Sequence, residues 1–222
     1  MKLPGVRWVF FDVGYTLINE DDALWDRIYQ IQKALNDCGV TVSTEEVRTA
    51  LENSANEQAN APVAQAISNL TGSKELVNRL APTFTWRKDL EKPYPDAEHV
   101  LSVLSKRYCI GVIANQSAGT EARLDAWGLL RYVSEVVASA ETGLAKPDLA
   151  IFKLAIERAG CQDRESVMVG DRIDNDIVPA KALGLKTIRI RQGLSRSQVP
   201  IDSTQKPDFE VRQLGEILEI LL

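Results

Sequence analysis

The chain has 222 residues, 45% of them apolar and 26% charged, and its 31 acidic and 26 basic side chains leave a formal charge of -5. This length can bury a full core, and the acidic balance, with no basic cluster, argues against a nucleic-acid partner. No apolar run reaches the roughly 18 residues that a membrane span needs. The N-terminal apolar stretch is cut short by Asp12, so it predicts a first core strand and not a signal peptide.

The cysteines and the single histidine restrict the chemistry further. The three cysteines are odd in number and widely spaced, which favours a reducing cytoplasm over a disulfide framework or a zinc site (Cys38, Cys109 and Cys161). His99 stands alone, which excludes an HExxH zinc site and leaves little room for a Ser–His or Cys–His pair. Any catalysis must therefore use carboxylates, lysine or hydroxyl groups.

Five short runs rich in Val, Ile and aromatic residues predict buried strands, at 6–12, 109–114, 134–138, 166–170 and 186–191. From residue 96 onward these runs alternate with helical patterns, at 96–107, 120–127, 148–159, about 174–184 and, as a final amphipathic helix, "EVRQLGEILEILL" at 210–222. Strands that alternate with helices predict an α/β fold with a parallel sheet and right-handed crossovers.

Residues 17–92 interrupt this alternation, because their patterns are helical throughout. Helices are predicted at 22–37, 44–58, 61–70 and 74–88, the second of them opened by a capping box between Ser43 and Glu46. Pro93 and Pro95 mark the return to the sheet. The sequence therefore predicts a core domain of 1–16 and 93–222 and an inserted helical domain of 17–92.

Polar side chains follow four of the predicted strands, where an open parallel sheet binds its ligands. They comprise one lone acid, an amide- and hydroxyl-bearing loop, a lysine and an acidic cluster: Asp12; Asn115, Gln116 and Ser117; Lys146; Asp171, Asp174 and Asp176. Carboxylates this close repel one another, and Mg²⁺, which prefers oxygen ligands, relieves the repulsion. The pattern therefore predicts a Mg²⁺-assisted enzyme that acts on a small, anionic, phosphorylated molecule.

Four segments in order carry a family resemblance: "FFDVGYTL" at 10–17, "GVIANQS" at 111–117, "GLAKPDLAIF" at 143–152 and "VMVGDRIDNDIVPAKALG" at 167–184. Together they resemble the motifs of the haloacid dehalogenase superfamily of aspartate-nucleophile hydrolases, and the resemblance covers nearly the whole chain. It implies a Rossmann-like core of about five or six parallel strands, with an all-helical cap of the type that is inserted after the first motif.

The resemblance also implies roles for individual residues. Asp12 would attack phosphorus and form an aspartyl-phosphate, while Lys146 would neutralise charge on the phosphoryl group. Mg²⁺ would be held by Asp12, the backbone carbonyl of Gly14 and Asp171, with Asp176 beside the metal or hydrogen-bonded to Lys146. Substrate contacts would come from residues within the first three motifs: Gly14, Tyr15, Asn115, Gln116 and Lys146.

Two positions depart from the family pattern and keep alternatives open. Gly14 stands where phosphatases of the family usually carry a second aspartate, a general acid and base, and Ala114 stands where they carry Ser or Thr. The absence of these two side chains would slow turnover. The loss would be smallest for substrates with a good leaving group. A phosphate-binding or regulatory protein without activity is the main alternative. A metal-free dehalogenase is the other, but it would have no use for the acidic cluster.

Overall fold

The computed structural model describes residues 3–222, which form two compact units. The first consists of 3–19, Lys92–Gln192 and Pro200–Leu222, and the second of Glu20–Glu91 with Gly193–Val199. Within the described residues, no helix combines the length and the apolar character needed to cross a bilayer.

A six-stranded sheet forms the centre of the first unit. In chain order the strands are β1 (Trp8–Phe11), β2 (Ile18–Asn19), β3 (Lys92–Pro93), β4 (Cys109–Ala114), β5 (Glu135–Ala138), β6 (Ser166–Gly170), β7 (Lys186–Ile190) and β8 (Phe209–Val211). The sheet order is β5-β4-β1-β6-β7-β8 with every pairing parallel, while β2 and β3 form a separate antiparallel pair. The predicted α/β class and the five predicted strands are confirmed.

Ten α-helices accompany the strands within residues 3–222. They are α1 (Asp21–Asp37), α2 (Thr44–Asn56), α3 (Pro62–Thr71), α4 (Lys74–Leu80), α5 (Ala97–Leu104), α6 (Thr120–Ala126), α7 (Ser139–Thr142), α8 (Leu149–Ala159), α9 (Val178–Ala182) and α10 (Ile217–Leu221). The last is shorter than predicted, since the segment from Phe209 to Val211 pairs with β7 as a sixth strand. The prediction of one helix over the whole C-terminal segment was therefore wrong.

Both faces of the sheet are buried, as is typical of parallel sheets. Along β1, Trp8 and Phe10 join a cluster with Phe152 of α8. The alternate residues Val9 and Phe11 join the cluster on the other face. This two-sided core explains why the strand runs are almost continuously apolar, and it leaves the carboxyl-end edge of the sheet for polar side chains.

The segment after β6 does not begin as a regular helix. Residues Ile173–Ile177 form one π-helical turn, and α9 follows with Pro179 in its first turn. Pro179 therefore stands where a missing N–H is tolerated, and the helix predicted from about residue 174 begins only at Val178.

The second unit is helical and contains α1 to α4. The predicted capping box is present, since Ser43 Oγ accepts from the Glu46 N–H at 3.2 Å and Glu46 Oε2 accepts from the Ser43 N–H at 2.8 Å. The helix predicted at 74–88 ends at Leu80, because Pro82 interrupts it and short 3-10 turns follow.

A short segment from late in the chain also belongs to this second unit. In Gly193–Val199, the Gln198 side chain donates to the carbonyl oxygen of Ala55 at 2.7 Å, and Arg196 pairs with Glu52 at 3.1 Å. The sequence-based division at 17–92 did not include this segment.

Candidate active site

Asp12 follows directly after β1, at the carboxyl-end edge of the sheet. Its N–H donates to the carbonyl oxygen of Val169 at 2.9 Å, so the residue is still tied to the neighbouring strand β6. The chain then turns sharply, because the N–H groups of Leu17 and Ile18 both donate to the Val13 carbonyl oxygen and Tyr15 has a left-handed φ of 50°. The strand and the turn together present the Asp12 carboxylate at the edge.

Lys146 is buried between two carboxylates. Its Nζ lies 2.6 Å from Oδ1 of Asp12 and 2.6 Å from Oδ1 of Asp176, although these residues are 134 and 30 positions away in the sequence. Burial by itself lowers the pKa of Lys146, but the charges of Asp12 and Asp176 outweigh it and raise the pKa above its usual value. The side chain is therefore a fixed cation at the sheet edge.

The two other carboxylates come from β6 and the π-helical turn after it. Asp171 follows Gly170, the last residue of β6, and Asp176 lies on the turn with its Oδ2 accepting the Arg172 N–H at 3.0 Å. A Cβ atom at position 170 would collide with the Asp176 carboxyl group. Gly170 is therefore required so that Asp176 can approach the strand end.

Asp12, Asp171 and Asp176 form a candidate metal centre. One carboxylate oxygen of each lies within 4.8 Å of the others, and all three residues are buried. Burial first, and then mutual repulsion, raise the pKa of Asp171 well above its usual value. Burial raises the pKa of Asp176 to about 6, although Lys146 opposes the shift. Three hard oxygen donors that are buried and repel one another fit a divalent cation such as Mg²⁺.

The loop after β4 contacts Lys146 through a side chain. The Nδ2 group of Asn115 donates to the carbonyl oxygen of Lys146 at 2.8 Å, and its Oδ1 accepts from the Lys146 N–H at 2.8 Å. Gln116 is buried, with its N–H donated to Ser139 Oγ at 3.1 Å and its Oε1 accepting from Arg123 at 3.3 Å. Ala114 is buried and Ser117 is exposed.

The structure therefore brings together four side chains that were predicted from the sequence as site residues: Asp12, Lys146, Asp171 and Asp176. Thr16 is buried, with its hydroxyl 3.5 Å from Asp12 Oδ2, while Gly14 and Tyr15 lie in the turn after Asp12. Asp174 is not a member of the candidate metal centre, and its carboxylate pairs instead with Arg172.

Sequence reasoning missed a buried cation behind the acidic cluster. Arg189 on β7 is 1% exposed, donates from Nε to the Asp171 carbonyl oxygen at 3.3 Å and pairs with Glu210 at 3.2 Å. Burial lowers its pKa. An arginine inside an otherwise apolar strand run was the signal available for this contact, since buried charges are usually paired.

Comparison with known proteins agrees with this geometry. The family model for haloacid dehalogenase-like hydrolases matches residues 9–190, which include the complete site. The chain belongs to this family. The predicted membership of the haloacid dehalogenase superfamily is thereby confirmed.

Individual haloacid dehalogenase-like relatives match over most of the chain. A glyceraldehyde 3-phosphate phosphatase of Methanocaldococcus jannaschii is 26% identical over 97% of each chain. A pyrimidine 5'-nucleotidase of Escherichia coli is 30% identical over 81% of this chain and 84% of its own. The crystal structure of a predicted phosphoglycolate phosphatase of Haemophilus somnus has the same fold, with a TM-score of 0.70 at 20% identity over 99% of this chain and 100% of that one.

Proposed function

We propose that this haloacid dehalogenase-like protein is a Mg²⁺-dependent phosphatase of small phosphorylated metabolites, with Asp12 as the nucleophile. The observation that carries the proposal is the ion-paired arrangement at the sheet edge. Lys146 Nζ bridges Asp12 and Asp176 at 2.6 Å each, with the Asp171 carboxylate alongside. A binding protein has no need of a buried nucleophile held in this way.

In the proposed reaction, an Asp12 carboxylate oxygen attacks phosphorus and the bond from phosphorus to the leaving oxygen breaks. Water then hydrolyses the aspartyl-phosphate, which releases phosphate and restores Asp12. Lys146 orients the nucleophile through Oδ1, and its charge stabilises negative charge that develops on the phosphoryl oxygens. Asn115, Gln116, Gly14 and Tyr15 remain proposed substrate contacts.

The ligands proposed for Mg²⁺ are Asp12, the Gly14 carbonyl oxygen and Asp171, with Asp176 next to them. When bound, the cation would neutralise the carboxylate cluster and the phosphoryl oxygens. When all three are ionised, the buried carboxylates carry three negative charges against the one positive charge of Lys146 in direct contact, so the donor set favours a divalent cation.

The substrate class is supported by the relatives. Their names state activity on glyceraldehyde 3-phosphate, phosphoserine and pyrimidine nucleotides, all of them small phosphate monoesters. We propose that the helical segment Glu20–Glu91 of the second unit, which is inserted between β2 and β3, acts as the cap that selects among such molecules. The three free cysteines support a reducing, cytoplasmic setting.

The proposal is tested by measuring phosphate release from a panel of phosphomonoesters and acyl phosphates, with Mg²⁺ and with EDTA. We expect release that requires Mg²⁺ and stops in EDTA. If the well-folded protein releases phosphate from no member of the panel and beryllium fluoride with Mg²⁺ does not raise its Tm, the binding or regulatory alternative replaces this proposal.

The glycine at position 14 predicts a dependence on the leaving group. General acid catalysis is worth about 10²–10⁴-fold, and an acyl phosphate needs it least because its leaving carboxylate is a weak base. We therefore expect kcat/KM for an acyl phosphate to exceed that for an alkyl phosphate by about 10²-fold or more. Gly14→Asp should narrow this gap by accelerating the alkyl phosphate.

The backbone permits this substitution, because Gly14 is not among the residues with a left-handed φ in the described chain. Asp12→Asn provides the matched control and corrects for spontaneous hydrolysis of the acyl phosphate. Equal rates for the two substrates in the wild-type protein, or no gain with Gly14→Asp, would contradict the role assigned to position 14.

A second prediction concerns pH and Mg²⁺. The pKa of Asp176 in the metal-free folded protein is raised from 3.8 to about 6, so protonation of this carboxyl group stabilises the fold. This stabilisation is lost as the pH rises through about 6. Mg²⁺ requires the ionised carboxylates. We expect Mg²⁺ to raise the Tm more at about pH 8 than at about pH 5.

Circular dichroism melts with Mg²⁺ and with EDTA measure this difference. Asp171→Asn should abolish most of the Mg²⁺-induced rise in Tm, whereas Asp125→Asn, at an exposed position on α6, should retain it. A Mg²⁺ effect that is the same at both pH values would contradict the proposed centre.

A further inference from the structure

The side-chain amide of Asn115 is matched to the backbone of Lys146. Its Nδ2 donates to the carbonyl oxygen and its Oδ1 accepts the N–H of that residue, both at 2.8 Å. The amide orientation follows from these partners, because a flipped amide would set donor against donor and acceptor against acceptor. Asn115 therefore makes two simultaneous hydrogen bonds to a residue 31 positions away.

These two bonds hold the Lys146 backbone in place. Among the described residues, the N–H and the carbonyl group of Lys146 make no hydrogen bond to another backbone group. The segment between α7 and α8 that carries Lys146 is otherwise irregular. Asn115, which directly follows β4, thus connects this segment to the rigid sheet.

The position of Lys146 matters because its Nζ must reach two carboxylates at once. It lies 2.6 Å from both Asp12 and Asp176, and the whole side chain is buried. A displacement of about 1 Å in a catalytic group can cost about 10²-fold in rate. A side chain that fixes the backbone of Lys146 therefore determines where its ammonium group lies relative to the Asp12 nucleophile.

We propose that Asn115 is a positioning residue that acts through Lys146. Its amide clamps the Lys146 backbone, so that the ammonium group bridges Asp12 and Asp176. The proposal rests on the proposed phosphatase function for its effect on rate. The clamp itself does not depend on that function.

The kinetic test is a double-mutant cycle. Asn115→Ala is expected to lower kcat by about 10²-fold, and in a Lys146→Met background the same substitution should have almost no further effect. If Asn115 instead acted mainly on the phosphoryl group, the two losses would multiply, which would overturn the proposal. Asn115→Asp keeps the size of the side chain but sets an oxygen against the Lys146 carbonyl oxygen, so it should also lower kcat.

A second readout does not require turnover. Labelling with an amine-acylating reagent, followed by mass spectrometry, should leave Lys146 unmodified in the wild-type protein and modify it at least several-fold faster in Asn115→Ala and Asn115→Asp. Exposed Lys153 on α8 serves as the internal reference. Unchanged labelling of Lys146 in both folded variants would overturn the clamp.

The control variant is Asn36→Ala, which removes a side-chain oxygen that accepts the Val42 N–H at 3.0 Å in the second unit. It should leave kcat and Lys146 labelling at wild-type values. If the wild-type protein released no phosphate, the proposed function would fail, and the labelling experiment would still decide the inference about Asn115.

Discussion

Asp12→Asn is expected to abolish phosphate release, with a loss of about 10⁴-fold or more, as found when other covalent nucleophiles are removed. The amide nitrogen and oxygen of Asn cannot form the aspartyl-phosphate. The substitution also removes one of the two carboxylates that Lys146 bridges. Phosphate release measured with the best substrate of the panel, in the presence of Mg²⁺, gives this loss directly.

The same variant should remain folded. Lys146 keeps its contact with Asp176, and the removal of one negative charge relieves repulsion in the cluster of three carboxylates. We expect a Tm within a few degrees of the wild-type value. Beryllium fluoride with Mg²⁺, which mimics the aspartyl-phosphate, should raise the Tm of the wild-type protein but not that of Asp12→Asn. Substantial residual activity in Asp12→Asn would rule out Asp12 as the nucleophile.

Lys146→Met is expected to impair both activity and stability. Removal of one charge-stabilising group typically costs about 10²–10³-fold in kcat. Removal of one partner from a buried ion pair costs about 3–5 kcal/mol in the free energy of unfolding, because uncompensated charge is left behind. Here the substitution leaves Asp12, Asp171 and Asp176 together without the cation that contacts two of them.

The loss of stability in Lys146→Met should depend on pH and on Mg²⁺. Without the lysine the pKa of Asp176 rises further, so protonation offsets the loss at low pH and the deficit grows as the pH rises above about 6. Mg²⁺ should reduce the deficit because it supplies positive charge to the same carboxylates. Urea unfolding at about pH 5 and about pH 8, with Mg²⁺ and with EDTA, measures these differences.

Lys146→Arg is the matched variant for this prediction. It keeps the charge but replaces a compact ammonium group with a planar guanidinium group. We expect it to recover much of the stability and little of the activity, because the bridge from Nζ to Asp12 and Asp176 depends on a single atom. Wild-type stability of Lys146→Met at about pH 8 in EDTA would contradict the electrostatic role of this residue.

Local sequence patterns predicted the longer strands of the sheet well, and they failed for a short segment that becomes a strand only through its pairing. The strand runs at 109–114 and 166–170 were predicted with the bounds that the structure has, because nearly continuous apolar character is a local property. Glu210 and Val211 of the strand Phe209–Val211 were assigned to a helix, since the three residues of this strand have little pattern of their own and become a strand by pairing with β7. The π-helical turn Ile173–Ile177 likewise has no periodic signature.

The contacts around the site also form two groups, those that a topological rule predicts and those that no rule predicts. The convergence of Asp12, Lys146 and Asp176 followed from one topological rule, that parallel strands present their carboxyl ends at one edge. The bonds of Asn115 to Lys146 and of Arg189 to the Asp171 carbonyl oxygen followed from no rule. They depend on the direction in which one side chain leaves its strand, and sequence spacing does not encode that direction.

The sequence by itself thus determined the order of the five longest strands, the parallel sheet and the acidic and basic residues at its edge, because apolar periodicity and the residue types at strand ends are local properties of the sequence. Tertiary structure alone decided that Asn115 holds the Lys146 backbone and that Gly193–Val199 belongs to the helical second unit. These contacts join residues that are far apart in the chain, and they form only after the packed core has fixed the direction of each backbone segment.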